Sequence, residues 1–304
     1  RELEKNEFQS GRLFICIIGL MAVSIACFVF EAIKVGFIPL FSDEPHAYSY
    51  FHVSGVHYFT ISCILIPAIT ILYLKVSRHI GWKKIAALVL ANFTAVAVPF
   101  LCVSRFQLLF AVGFAVVTYI MVNKRIRLRT MVILLVALVP VYIILTVFRH
   151  HDVTYLNSIF EMKYSKMPIF ITQPYMYVAN NFENFNCMVA QLTEHTYGLK
   201  MLFPFFALTG LKFLYPQLVS FPIFLTKKEL TTLTMFYDAY YDFGIVGVFI
   251  FAVIIGAVAK VLMSVVKKSQ NPVSYLFYGQ IAIYLGLAFF TTWFSNPTTW
   301  FWLI

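Results

Sequence analysis

Residues 12–34 read RLFICIIGLMAVSIACFVFEAIK, a largely apolar run. A helix that crosses the hydrocarbon core of a bilayer needs about 20 predominantly apolar residues, and this run is long enough. Further runs of this kind are 57–74, 84–103, 106–122, 130–148, 244–266 and 273–292. Together they predict an all-α, polytopic integral membrane protein with at least seven transmembrane helices.

The composition of the 304-residue chain excludes other classes of protein. Hydrophobic residues make up 61% of the chain and charged residues 12%, whereas an ordinary soluble domain has about 45–50% and about 25%. A soluble globular, a disordered and a fibrous protein are therefore excluded. Because Arg1 is not an initiator Met and Ile304 lies in an apolar run, we expect the number of spans to be a lower bound.

The net charge of +10 is explained by topology. Three connections between spans contain basic residues and no acidic residue. The basic residues are Lys75, Arg78, Lys83, Lys84, Lys124, Arg125, Arg127, Arg129, Lys260, Lys267 and Lys268. The positive-inside bias predicts that these connections are cytoplasmic, so nucleic acid is not an expected partner.

This orientation predicts three segments. Residues 1–148 form an N-terminal bundle of five spans, 149–243 form a large extracytoplasmic loop, and 244–304 form a C-terminal transmembrane hairpin. The apolar piece 199–225 is interrupted by Pro204, Pro216, Pro222 and Lys212. We therefore expect interfacial or re-entrant helices there rather than a full span.

The predicted outer side contains most of the titratable residues that are candidates for function. The mid-span polar residues identified are Asn92, Thr94, Thr118 and Thr146, none of them charged. Long loops in compact proteins are usually functional. These features predict binding or chemistry at the outer membrane–water interface.

Two arginines are predicted at the outer boundary. Arg105 lies where the hairpin 84–122 turns, and Arg149 follows the fifth predicted span. Planar guanidinium groups suit phosphate oxygens, so the two could bind a lipid diphosphate and stabilise it as a leaving group. The alternative is that Arg105 snorkels to lipid headgroups and that Arg149 belongs to a polar helix end.

Residues 173–186 read QPYMYVANNFENFN. Aromatic and amide side chains suit sugars, because rings pack on apolar sugar faces and amides bind hydroxyls. Tyr177, Asn180, Asn181 and Tyr241 are candidate sugar-binding residues, and an aromatic belt at the interface is the alternative.

Acidic and imidazole side chains in the loop are candidates for proton transfer. Asp238 and Asp242 are four residues apart, so they share a face if this stretch is helical. Asp242, Glu183 and His195 are candidate proton acceptors, and Asp238 is a candidate substrate-binding residue. The alternative for either aspartate is a helix N-cap. Histidines 46, 52, 57, 150 and 151, with Asp43 and Glu44, match no metal-ligand spacing, so no metal is predicted.

The order of motifs resembles the Wzy-type O-antigen and oligosaccharide repeat-unit polymerases of bacterial envelopes. The resemblance covers most of the chain and is carried by GFIPLF at 36–41, GVHY at 55–58, Ser104-Arg105, YGLKMLFPF at 197–205, and the stretch from Thr232 to Asp-Phe-Gly at 242–244, which opens a late span. An Arg-x10-Gly pattern of some members is missing after Arg105 and Arg149.

The resemblance implies a lipid-sugar glycosyltransferase (GT-C-like) helical fold in the bacterial inner membrane, with the active site facing the periplasm or exterior. It implies transfer of a growing glycan from undecaprenyl diphosphate to a new lipid-linked repeat unit, in O-antigen, capsule or exopolysaccharide synthesis. It implies no cofactor and no metal, and a chain-length regulator and a flippase as candidate partners beside membrane lipids. The alternative functions are an envelope glycan ligase, a transporter or flippase, and a metal-dependent membrane hydrolase.

Overall fold

The computed structural model of the chain describes residues 3–42, 47–148 and 152–303. In these ranges the regular secondary structure is helical, without a β-strand. The prediction of an all-α chain is therefore confirmed. The α-helices of the described residues are α1 (Glu7–Val35), α2 (Val56–Ile61), α3 (Ile66–Val76), α4 (Trp82–Leu101), α5 (Arg105–Asn123), α6 (Leu128–Val147), α7 (Val153–Ile159), α8 (Ile169–Gln191), α9 (Phe203–Leu208), α10 (Leu211–Leu214), α11 (Tyr237–Lys268), α12 (Pro272–Gly286) and α13 (Pro297–Leu303). Short 3-10 helices cover Pro39–Phe41, Ala47–Ser49, Ser62–Leu65, Pro216–Leu218 and Trp293–Ser295.

Six helical segments of the described residues are long and apolar enough to cross a membrane. They are Glu7–Val35, Val56–Val76, Trp82–Leu101, Arg105–Asn123, Leu128–Val147 and Tyr237–Lys268. Each contains or closely overlaps one of the predicted runs, which confirms a multi-pass membrane protein.

The ends of α1 have local causes in the sequence. At the start, the Asn6 side chain accepts hydrogen bonds from two backbone N–H groups, and at the end Gly36 has φ 86°.

The predicted run 273–292 forms a shorter helix than expected. Helix α12 has 15 residues and is therefore about 22 Å long, whereas the hydrocarbon core is about 30 Å thick. The carbonyl groups after Gly286 bind outside the helix: Ala288 accepts from the Met235 N–H at 2.7 Å, and Phe289 accepts from the Asn181 amide at 2.7 Å. These contacts fix the chain after Gly286 in a non-helical path.

The chain divides into two compact units. The first unit is Arg1–His151 with Leu262–Ile283, and the second is Asp152–Val261 with Tyr284–Ile304. Residues 244–304 are shared between both units.

The first unit is a bundle with an apolar interior. Helix α1 packs against α2, α3 and α4, and α3 packs against α5. Fully buried side chains include Ile17, Ile66, Leu72, Phe110 and Phe114. Large apolar side chains on the outward faces, among them Ile15, Ile33, Phe93 and Val136, are exposed, as lipid-facing residues are in a chain without its bilayer.

The second unit contains the long loop predicted from the sequence. Residues 199–225 form the short helices α9 and α10 and one 3-10 turn, with Gly210 in the left-handed region at φ 77°. None of the described helices in this stretch has the length of a span, in agreement with the prediction from its prolines. Helix α8 is longer, but it buries a row of polar side chains: Thr172, Gln173, Asn180, Asn181 and Asn184.

Candidate functional site

The first turn of α11 brings two aspartates to one buried face. Asp238 is 6% exposed and Asp242 is fully buried, which confirms the prediction that they share a helical face. The helix is broken directly after Asp242, because Phe243 and Gly244 have non-helical backbone angles. Gly244 has φ 61° and ψ −149°, a conformation that is essentially restricted to glycine.

The Asp242 carboxylate holds the loop 196–201. It accepts hydrogen bonds from the Thr196 hydroxyl and from the backbone N–H groups of Lys200 at 3.1 Å and Met201 at 2.8 Å. The Asp242 carbonyl also accepts from the Tyr197 N–H at 3.2 Å. With its lone pairs engaged by these donors, this carboxylate is suited to positioning the loop rather than to accepting a substrate proton.

Asp238 borders a cavity of about 370 Å³ in the second unit. Its carboxyl group is hydrogen-bonded by the side chains of Ser295 and Thr292. The cavity wall combines polar and apolar groups: Leu199, Lys200, Phe203, Val219, Phe221, Ile223, Leu233, Asp238, Thr292, Ser295, Asn296 and Pro297. A mainly apolar cavity with a few convergent polar groups is the usual form of a small-ligand site.

Lys200 supplies a positive charge to this cavity. Burial lowers the pKa of its amine from the ordinary value of 10.5, and the nearby carboxylates of Asp238 and Asp242 act in the opposite direction. The ammonium nitrogen lies 4.7 Å from the centre of the Tyr241 ring, within the range of a cation–π interaction. A lysine, two hydroxyls and a carboxylate therefore converge on one cavity.

The amide residues of α8 have structural contacts in this conformation. The Asn181 amide donates to the carbonyls of Phe289 and Phe290 at 2.7 and 3.3 Å, and its oxygen accepts from the Thr232 hydroxyl at 2.6 Å. Asn180 is 1% exposed and accepts from the Thr226 hydroxyl at 3.0 Å. Neither residue lines the cavity.

Two predicted aromatic residues also pack within the second unit. The Tyr177 ring makes an edge contact with Phe290, with ring centroids 5.3 Å apart. Tyr241 is 2% exposed and packs against Phe224 and against Phe221, which is a residue of the cavity wall.

The other two predicted proton acceptors are exposed. His195 lies beside the break in α11, with Nδ1 3.1 Å from the Tyr241 carbonyl oxygen. Glu183 lies on an exposed position of α8. The structure therefore brings His195 close to the aspartate turn, but neither residue is in the cavity wall.

Arg105 belongs to the first unit and is 4% exposed. Its guanidinium donates to the Thr146 hydroxyl at 2.8 Å and lies 5.2 Å from the centre of the Tyr142 ring. Burial among protein groups differs from the snorkelling arrangement considered as an alternative. Arg149, the second predicted arginine, lies outside the described residues.

A buried carboxylate in a span was missed from the sequence. Glu31 of α1 is fully buried and accepts hydrogen bonds from the Val53 N–H at 2.8 Å and the Thr60 hydroxyl at 2.7 Å. His57 Nδ1 lies 3.1 Å from one of its oxygens. An ionisable residue in a transmembrane helix is by default a functional candidate. It went unnoticed because one carboxylate barely changes the hydropathy of an otherwise apolar run.

Metal-ligating groups do not cluster in the described part of the chain. There, no group of three or more His, Cys, Asp or Glu side chains is arranged to hold a metal ion. Of the residues considered as ligands, Asp43, Glu44, His46, His150 and His151 lie outside the described residues.

No family model, curated protein or solved structure matches this chain. The interpretation of the site therefore depends on the residues and contacts described above. The resemblance to repeat-unit polymerases stays an expectation from the order of the sequence motifs.

Proposed function

We propose that this protein is a membrane glycosyltransferase of the Wzy type, which joins oligosaccharide repeat units carried on undecaprenyl diphosphate. The growing glycan is transferred as a block onto a new lipid-linked repeat unit. The observation that carries the proposal is the cavity in which Asp238, Lys200 and the hydroxyls of Thr292 and Ser295 meet.

The chemistry of this cavity suits a sugar attached to an anionic lipid. Phe203 and Phe221 in the wall offer aromatic surface to sugar rings. Thr292, Ser295 and Asn296 offer hydroxyl and amide groups to sugar hydroxyls. A volume of about 370 Å³ is within the range of about 300–1,000 Å³ for small-ligand pockets, so the cavity holds one part of the substrate and not a whole repeat unit with its lipid.

In the proposed transfer, Asp238 acts as the general base and Lys200 stabilises the leaving group. A hydroxyl of the acceptor sugar attacks the anomeric carbon of the donor and forms the new C–O bond, and Asp238 takes the hydroxyl proton. The bond from the anomeric carbon to the diphosphate breaks, and the polyprenyl diphosphate leaves with both bonding electrons. The Lys200 ammonium offsets the negative charge that develops on that leaving group.

The proposed enzyme has a GT-C-like arrangement with seven or more spans. It lies in the bacterial inner membrane, and its site faces the periplasm or exterior. A chain-length regulator and a flippase are the proposed protein partners. Arg105 and Arg149 are proposed to bind phosphate oxygens, as their predicted position at the outer boundary suggests.

The direct test is reconstitution of the purified full chain in liposomes with a lipid-linked repeat unit. The proposal predicts a ladder of products that differ by one repeat unit. We expect Asp238→Asn to reduce ladder formation about 10²- to 10⁴-fold, the usual contribution of a general base. Glu194→Gln, which changes an exposed carboxylate of the same loop, serves as the matched control and is expected to act like wild type.

The same assay separates the alternatives. A ligase leaves the glycan length unchanged while the carrier changes, and a transporter leaves both unchanged. Absence of a ladder from wild type contradicts the proposed function. A full ladder from Asp238→Asn or from Arg105→Ala contradicts the role given to that residue.

A further inference from the structure

Glu31 is a buried acid whose donors come from one short segment. The Val53 N–H, the His57 ring and the Thr60 hydroxyl all belong to residues 53–60, which enter and form α2. The carboxylate thus fastens this segment to α1. Hydrogen bonds to a charged group are the strong ones, so these three contacts to the carboxylate hold the segment to α1.

His57 connects this acid to the exterior of the protein. Its Nδ1 atom lies 3.2 and 3.1 Å from the two carboxylate oxygens. The His57 side chain is 27% exposed, whereas that of Glu31 is fully buried. The ring of His57 is therefore the partly exposed member of the pair.

The pair lies near one end of α1. Glu31 precedes the last residue, Val35, by four positions, which corresponds to about 6 Å along the helix. The connection that follows α1 is predicted to be extracytoplasmic. A site at this depth is a boundary site rather than a mid-membrane transport site.

The two protonation states of the pair differ in net charge. With a protonated imidazole, the pair is neutral overall, and the buried carboxylate has an opposite charge at hydrogen-bond distance. With a neutral imidazole, one uncompensated negative charge stays in a site closed to solvent, and such burial is unfavourable. Proton uptake therefore strengthens the contact between α1 and residues 53–60, and proton release weakens it.

The charge at this site also depends on the groups that surround Glu31 and His57. Helix α1 packs against α2, α3, α4 and the 3-10 helix Ser62–Leu65. Among the described residues, the titratable and charged groups on α1 besides Glu31 are Glu7, Arg12, Cys16, Cys27 and the exposed Lys34. Those on the elements packed against α1 and at their ends are His52, which is exposed, Tyr58, Cys63, Tyr73, Lys75, Lys83, Lys84 and Cys102. Thiols and phenols are ordinarily neutral between pH 5 and 8 and lysines ordinarily positive, whereas histidine is the side chain that ordinarily changes charge there.

We propose that Glu31 and His57 form a proton-binding site that fastens residues 53–60 to α1 at acidic pH and loosens them as the pH rises. The site lies in the first unit and is independent of glycosyl transfer. It makes the placement of this segment sensitive to the pH of the compartment that it faces.

The test is hydrogen–deuterium exchange of the full chain in lipid nanodiscs at pH 5.5, 7.0 and 8.5, with the intrinsic exchange rate divided out. For wild type we expect the protection of the peptide that covers residues 53–61 to fall about tenfold or more from pH 5.5 to 8.5, the size expected when a charged hydrogen bond is lost. His57→Gln keeps an amide donor for Glu31 without a titrating ring, so its protection is expected to be independent of pH.

Two further variants complete the experiment. Glu31→Gln removes the charge but keeps an acceptor, and it is also expected to abolish the pH dependence. His52→Gln changes an exposed histidine just before the segment and is expected to behave like wild type. A pH-independent wild type, or the wild-type pH dependence in His57→Gln, overturns the proposal, and neither result depends on whether the protein forms a glycan ladder.

Discussion

Asp238 and Asp242 lie one helical turn apart on the same buried face of α11, but their carboxylates have different surroundings. Asp242 is engaged by donors of the 196–201 loop, whereas Asp238 borders a cavity with Lys200. The turn thus separates a carboxylate that holds the loop from one that borders a cavity.

Asp242→Asn is expected to lower the stability of the protein. The substitution removes the negative charge to which three donors are hydrogen-bonded, and it leaves only one acceptor oxygen. The free energy of unfolding should therefore fall by about 1–3 kcal/mol. Thermal unfolding in detergent measures the loss. Asp152→Asn is the matched control, because Asp152 is an exposed N-cap and asparagine caps helices equally well. Equal losses in both variants would contradict the anchoring role of Asp242.

Lys200 predicts a specific pH dependence of stability. Because burial lowers the pKa of this amine below 10.5, the unfolded chain binds more protons than the folded chain between the folded pKa and 10.5. The free energy of unfolding therefore rises with pH in this window, and the destabilisation by a buried ammonium is fully present below it. Lys200→Met should flatten the rise, which unfolding curves recorded up to pH 10.5 would detect. Lys228→Met, at an exposed position, should leave the rise in place.

Asn181→Ala separates a structural from a sugar-binding role for α8. The substitution leaves the Phe289 and Phe290 carbonyls and the Thr232 hydroxyl without their amide partner. Since unsatisfied buried polar groups are unfavourable, we expect the free energy of unfolding to fall by about 1–3 kcal/mol. Asn186→Ala, at an exposed position of the same helix, should change stability little. A variant of unchanged stability and weakened substrate binding would favour direct contact of Asn181 with a sugar.

Gly244→Ala tests the break in α11. At φ 61° a side chain is strained, and a Cβ atom would lie 3.3 Å from the His195 ring. We expect a loss of about 1–3 kcal/mol in the free energy of unfolding. Gly256→Ala, in the same helix and with no atom within 4 Å of its added Cβ, should be neutral or slightly stabilising. If both variants unfolded at the same temperature, the break would not require glycine.

The spans were predictable because hydropathy and helical periodicity are local properties of the chain. The shared face of Asp238 and Asp242 followed for the same reason. Thr292 and Ser295 were missed because they reach the cavity from a distant segment, and Lys200 could not be distinguished from the other loop lysines. The amides of α8 suggested sugar binding by their type, but their partners are backbone carbonyls and threonine hydroxyls that only the tertiary structure brings near.

The break at Phe243 and Gly244 separates the aspartate turn from the apolar remainder of α11. A continuous rod would transmit every change in its tilt directly to the residues at its end. Transmembrane helices adjust their tilt when bilayer thickness changes. Because the helix is interrupted at this position, the apolar part can change its tilt with bilayer thickness while Asp238 keeps its place beside Ser295. Through this glycine, a change of bilayer thickness would alter the tilt of the helix without altering the geometry of the cavity.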